Sequence, residues 1–108
     1  MKTYTDLSQS KKLAEILPLE SADMSYSIIH NVGQEPYHCN VPMFVPAMNG
    51  DIPCWSLSAL LDVLPNGNML VKTTDGKYYC IVKDIMTKHY DNPLDVCYKT
   101  ILELKEKD

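Results

Sequence analysis

A chain of 108 residues, 45% hydrophobic and 22% charged, has the composition of one folded domain and is too apolar for a disordered segment. Its formal net charge of −4 argues against a surface built for phosphate contacts, which needs clustered Lys and Arg. No apolar run reaches the eighteen residues of a membrane span, and the polar start MKTYTDLSQSKK lacks the apolar core of a secretory signal, so a cytoplasmic chain is expected.

From Thr5 or Ser8 to Leu17 the pattern predicts a helix, capped by a hydroxyl and stopped at Pro18, with Leu13, Ile16 and Leu17 on its apolar face. Met24 to Val32 alternates Met24, Tyr26 and Ile28 against Ser25 and Ser27, which predicts a strand; Gly33 to Pro36 reads as a turn. Between Tyr37 and Pro53, prolines 42, 46 and 53 exclude a central strand, because proline has no N–H for a sheet ladder. An edge strand or an ordered apolar loop fits. Its residues Met43, Phe44, Val45 and Met48 either cover the core or form an exposed patch that docks a partner.

The chain is organised around Ile52 to Gly67. Ser56 has the hydroxyl of an N-cap, Trp55 and Leu60 are spaced as a hydrophobic staple, and Leu57, Leu60, Leu61 and Leu64 form one helical stripe. Pro65 and Gly67 end it. Next, MLVKTTDGKYYCIV reads as a hairpin on a two-residue Asp75-Gly76 turn. That turn sets Thr73 opposite Tyr78, Val71 opposite Cys80 and Met69 opposite Val82 on a core face. Leu70 and Lys72 then fall on the other face, opposite Ile81 and Tyr79. The last helix runs from Pro93 to about Lys107, with Asn92 as N-cap, Asp95 in the first turn and a stripe of Leu94, Cys97, Tyr98, Ile101 and Leu104. Asp95–Lys99 and Glu103–Lys107 have the spacing of helical ion pairs. The order of elements, with no βαβ repeat, predicts an α+β fold: a small antiparallel sheet with about three helices packed on it, in one two-layer domain spanning residues 1–108.

Chemistry is sparse. Four cysteines (39, 54, 80, 97) and three histidines (30, 38, 89) lack the close pairs of a zinc site; the one close pair, His38-Cys39, points to opposite sides of an extended chain. In a reducing compartment the cysteines are free thiols. Cys54, beside a helix N-terminus, is the best-placed nucleophile, yet no elbow or Gly-rich loop accompanies it. Asp51, Asp62, Asp84 and Asp91 could supply acid–base pairs, but Asp62 reads as a solvated surface charge and Asp91 as part of a helix start. No metal, cofactor or catalytic residue is expected.

Three stretches, SKKLAEILPLESADM, IPCWSLSALLDVLP and YDNPLDVCYKTILELKE, resemble a group of short proteins of unknown function from Bacteroides-type gut bacteria, often carried by prophages or mobile elements. The resemblance implies a small cytoplasmic protein associated with a phage or mobile element and assigns no residue a role. The expectation is a non-catalytic module that binds a protein partner or itself. The alternative is a nucleic-acid accessory, contacting DNA through Lys11, Lys12, Lys72, Lys77, Lys83 and Lys88, or else modulating a DNA-binding protein through an acidic surface.

Overall fold

The computed structural model describes residues 2–26, 37–38, 52–83 and 85–106, the last helix residue and 37–38 by backbone alone. In chain order they form α1 (Leu7–Ala14), a 3-10 turn (Leu19–Ser21), β1 (Met24–Tyr26), β2 (Tyr37–His38), β3 (Ile52–Cys54), α2 (Leu57–Val63), β4 (Met69–Lys72), β5 (Tyr78–Val82), β6 (Ile85–Met86) and α3 (Pro93–Glu106). The fold is α+β, as expected. Its strands divide into two antiparallel sheets rather than one, ordered β2-β1-β3 and β4-β5-β6.

The cap of α1 is Asp6, not a hydroxyl. Its carboxylate accepts from the Gln9 N–H at 2.8 Å and the Gln9 side chain accepts from the Asp6 N–H at 3.1 Å, a reciprocal box that satisfies two otherwise unpaired donors. Thr5 is unavailable as a cap because it is buried, with its hydroxyl 2.7 Å from that of Ser10 and accepting from the Trp55 N–H at 3.1 Å. The regular helix stops at Ala14, earlier than expected, and an irregular turn delivers Leu17 to the core ahead of Pro18.

In the first sheet Pro53 sits opposite Ser25 on the edge strand β3, where a missing N–H costs no ladder bond. The N-terminal segment extends this edge: Thr5 N–H donates to Trp55 O and Leu57 N–H to Thr3 O, both at 2.9 Å. The second bond satisfies the first orphan donor of α2, and Ser56 Oγ takes the Ala59 N–H at 3.1 Å. Ser56 is itself held by Asp23, through its N–H at 2.9 Å and its hydroxyl at 2.5 Å. Trp55 and Leu60 are fully buried in one cluster, as the staple spacing predicts; the Trp55 indole N–H is satisfied by Ser21 Oγ at 2.9 Å. Truncating Leu60 to alanine would cost about 2–5 kcal/mol, a large part of the stability of a domain this size.

Asn92 caps α3 as expected, accepting from the Asp95 N–H at 2.9 Å. The buried arc is wider than the predicted stripe, because Val96 and Thr100 are buried along with Leu94, Cys97, Tyr98 and Ile101. The cause is that α3 packs on α2 and on β5 at once. Thr100 tolerates burial by donating its hydroxyl to Val96 O at 2.7 Å. Asp95 does not pair with Lys99. It accepts instead from Lys2 Nζ at 3.0 Å, Gln9 Nε2 at 2.9 Å and Asn92 Nδ2 at 2.9 Å, tying the N-terminal segment and α1 to the start of α3. Lys107, the other expected ion-pair partner, lies outside the described residues.

The β4–β5 hairpin departs most from expectation. Its loop has three residues, Thr74 to Gly76: Thr73 N–H donates to Lys77 O at 2.8 Å, and Gly76 N–H donates to Thr73 O at 3.1 Å. Gly76, at φ +84°, takes the left-handed position that such a loop needs. The Thr73 hydroxyl braces it, accepting from the Lys77 N–H at 3.0 Å and bonding to the Asp75 carboxylate. One extra loop residue slips the register by one, so that Met69 pairs with Ile81, Leu70 with Cys80, Val71 with Tyr79 and Lys72 with Tyr78. A one-residue slip turns every side chain of that strand over. Leu70 therefore packs on the core, while Met69 and Val71 face outward.

Candidate functional site

The two faces of the second sheet follow from that register. Tyr78, Cys80 and Val82 alternate along β5 toward the core, with Leu70 beside them on β4. Thr87 and Tyr90 continue the inner face past β6: Thr87 N–H donates to Cys80 O at 3.0 Å, its hydroxyl accepts from the Cys80 N–H at 2.9 Å, and Tyr90 exchanges two 2.8 Å bonds with Tyr78. Between them Lys88 and His89 together oppose Tyr79, a bulge that keeps the inner side chains in step.

The outer face is a grid of two rows across three strands. In the first row Met69 lies opposite Ile81, and Ile81 lies opposite Met86. In the second, Val71 lies opposite Tyr79, whose ring stacks on His89 at a centroid distance of 5.0 Å and an interplanar angle of 17°. Met69 is 57% exposed and Met86 63%, the two most exposed large apolar side chains among the described residues. Single exposed apolar residues are ordinary; a continuous row across a sheet is not. Methionine adds adaptability, since its unbranched thioether repacks readily against different partners.

Lysines are concentrated in this part of the chain but not on this face: Lys72 lies opposite Tyr78 on the inner side and Lys83 lines a cleft beside α2 and α3. The segment from residue 69 to 90 holds four lysines (72, 77, 83, 88) against two aspartates, a local balance of +2, while the rest of the chain holds six lysines against twelve acids, a balance of −6. Lys77 pairs with Asp91, which leaves the capping of α3 to Asn92. Lys72, Lys83 and Lys88 make no ion pair among the described residues, though Lys72 Nζ lies 5.8 Å from the Tyr78 ring centroid. Of the six lysines considered for phosphate contact, Lys72 ends β4, Lys77, Lys83 and Lys88 lie in the connections of the second sheet, and Lys11 and Lys12 lie on α1, where Lys12 pairs with Glu15 at 3.9 Å.

The other chemical candidates are structural. Cys54 is buried, and burial pushes its thiol up although hydrogen bonds from Thr5 and Ser10 oppose the shift. The thiolate that a place beside a helix N-terminus would favour is therefore disfavoured at Cys54, as is that of Cys97, raised by burial to about 12. Asp62 is exposed, as expected. Among the described residues no three His, Cys, Asp or Glu side chains are grouped to hold a metal, and no helix is long and apolar enough to cross a membrane. A cleft of about 110 Å³ between the end of α2 and α3, lined by Leu64, Pro65, Ile101 and Leu104 with Lys83 and Lys105, is below the ~300–1,000 Å³ usual for small-molecule sites.

Met43, Phe44, Val45 and Met48, the candidate patch singled out from the sequence, lie outside the described residues, as do Asp51, Asp84 and the turn expected at Gly33 to Pro36. Sequence reasoning missed Met69, Ile81 and Met86 because the assumed two-residue turn put Met69 inside. The pattern T-T-D-G-K, with a hydroxyl able to brace a longer loop, was the available signal. Compared with protein-family models, curated proteins and solved structures, the chain gives no match.

Proposed function

We propose that this chain is a non-catalytic protein-binding module that docks its partner on the outer face of the β4-β5-β6 sheet. The observation that carries the reading is the row Met69–Ile81–Met86, which no other described element packs against, on a sheet whose opposite face is packed by α3. The composition of the face favours protein over nucleic acid. A stacking platform for bases needs several aromatic rings in a basic surround, whereas this grid offers Tyr79 and His89 amid aliphatic and thioether side chains.

The test is an affinity capture from cells of the source organism, run with the wild-type chain and with a Met69→Lys/Met86→Lys variant, each with and without nuclease. A protein retained by the wild type and lost by the variant, in both nuclease conditions, is the expected result. Retention by both chains alike would move the interface elsewhere. Material that vanishes with nuclease would overturn the reading in favour of nucleic acid.

A further inference from the structure

The connection from α2 to β4 carries the dipeptide Asn66-Gly67, which sets a side-chain amide beside the least hindered backbone nitrogen a chain can offer. Both residues are exposed. Gly67 takes φ +88°, the left-handed position of a turn that Asn68 closes by donating from Nδ2 to Pro65 O at 3.0 Å. An added Cβ at Gly67 would meet nothing within 4 Å, so that side of the peptide is open to solvent. Neither the Gly67 N–H nor the Asn66 side chain makes a hydrogen bond among the described residues, which leaves the nitrogen unengaged and the amide free to rotate toward it. The geometry points to a site of spontaneous covalent modification: Asn66 deamidates in the folded chain through a succinimide, leaving aspartate or isoaspartate at position 66.

The step needs only the chain, hydroxide and water. The Gly67 nitrogen gives its proton to hydroxide and attacks Asn66 Cγ. A bond forms between that nitrogen and Cγ, the Cγ–Nδ2 bond breaks, and the amide nitrogen leaves as ammonia after taking a proton from solvent. Water then opens the five-membered ring. Attack at Cγ restores the ordinary main chain with an aspartate side chain; attack at the backbone carbonyl routes the main chain through Cγ as isoaspartate. Either product adds one negative charge to a chain of formal net charge −4. The second hairpin loop shows what the α2–β4 turn lacks. Asp75-Gly76 could form the same ring with loss of water, but Gly76 N–H is donated to Thr73 O at 3.1 Å and the Asp75 carboxylate is bonded by the Thr73 hydroxyl. That bond holds the Asp75 carboxyl below its ordinary value, so it stays ionised and resists attack. Nucleophile and electrophile are both engaged there, and both are free at Asn66-Gly67.

The experiment incubates the full-length wild-type chain at 37 °C, folded in buffer and unfolded in guanidinium chloride, at pH 7, 8 and 9. Chymotryptic peptides are then sequenced by mass spectrometry, with isoaspartate distinguished from aspartate by retention. Asn49-Gly50 shares the dipeptide and lies outside the described residues; cleavage after Trp55 separates its peptide from that of Asn66. In the folded chain position 66 should exchange its amide for a carboxyl, with isoaspartate among the products. Its rate should rise with pH and stay within about threefold of the unfolded rate, as expected of a backbone segment that native structure leaves unprotected. Asp75 should form isoaspartate at least about tenfold more slowly folded than unfolded, because its loop is held by hydrogen bonds. An Asn66 that reacts when unfolded and stays intact when folded would overturn the inference, since the native turn would then forbid ring closure. So would aspartate at position 66 without isoaspartate, which would mean direct hydrolysis of the amide. Equal folded-state rates at Asn66 and Asp75 would overturn it too, by showing that the hydrogen bonds of the two turns do not select the site.

Discussion

Met69 and Met86 stand on opposite edge strands of one sheet, each directly across from Ile81, so that two methionines 57% and 63% exposed belong to a single apolar row. Since neither side chain is packed on the core, replacing both with lysine should change stability by no more than about 0.5 kcal/mol each. For a chain this long that is a shift of a few degrees in Tm. Thermal unfolding followed by circular dichroism checks it; a loss of more than about 3 kcal/mol would mean that the methionines are structural.

Gly76 holds φ +84° with open space around the position of an added Cβ, so strain and not collision decides the effect of Gly76→Ala. The expected cost is about 1 kcal/mol, read as a lower urea midpoint with unchanged slope. A neutral result would show that the loop does not need its left-handed residue, and would put the hairpin register in question.

Asp95 sets a pH dependence whose sign is fixed. Burial pushes its carboxyl up, but the hydrogen bonds from Gln9, Asn92 and Lys2 outweigh this and hold it below its ordinary value of 3.8. A carboxyl lowered by folding contributes stability that is present above the unfolded value and lost as the pH falls through the folded one. The stability of the wild type to urea should therefore fall as the pH drops below about 4, and Asp95→Asn should remove part of that slope. Parallel slopes in the two proteins would remove Asp95 from the account. Lys2 acts with the opposite sign: burial lowers its pKa, yet Asp6 and Asp95 raise it above 10.5 overall, so its contribution is full below that value and fades as the pH rises through the folded one.

Cys54, Cys80 and Cys97 are fully buried, and burial raises all three thiols. In a Cys39→Ser background at pH 8, a thiol reagent should label none of them rapidly, and all three should react once denaturant unfolds the chain. Fast labelling of Cys54 in the native protein would reinstate it as a reactive group.

What the sequence determined by itself is local. Ser56, Asn92 and Pro93 start their helices where their own hydrogen-bonding and backbone preferences put them, and the leucine stripe of α2 buries Leu60 and Leu64 because a 3.6-residue period leaves no other face. Tertiary structure decided what depends on residues far apart in the chain. Thr5 was withdrawn from capping by Trp55, fifty residues on, and Asp95 was claimed by Lys2 and Gln9 rather than by Lys99, one helical turn away. The wide buried arc of α3 required both α2 and β5 to be in place. The candidate surface was decided most narrowly of all. The alternation of β4 allowed either face to be the inner one, and a three-residue loop braced by Thr73 chose between them, because a strand has only two faces and one residue of slip exchanges them.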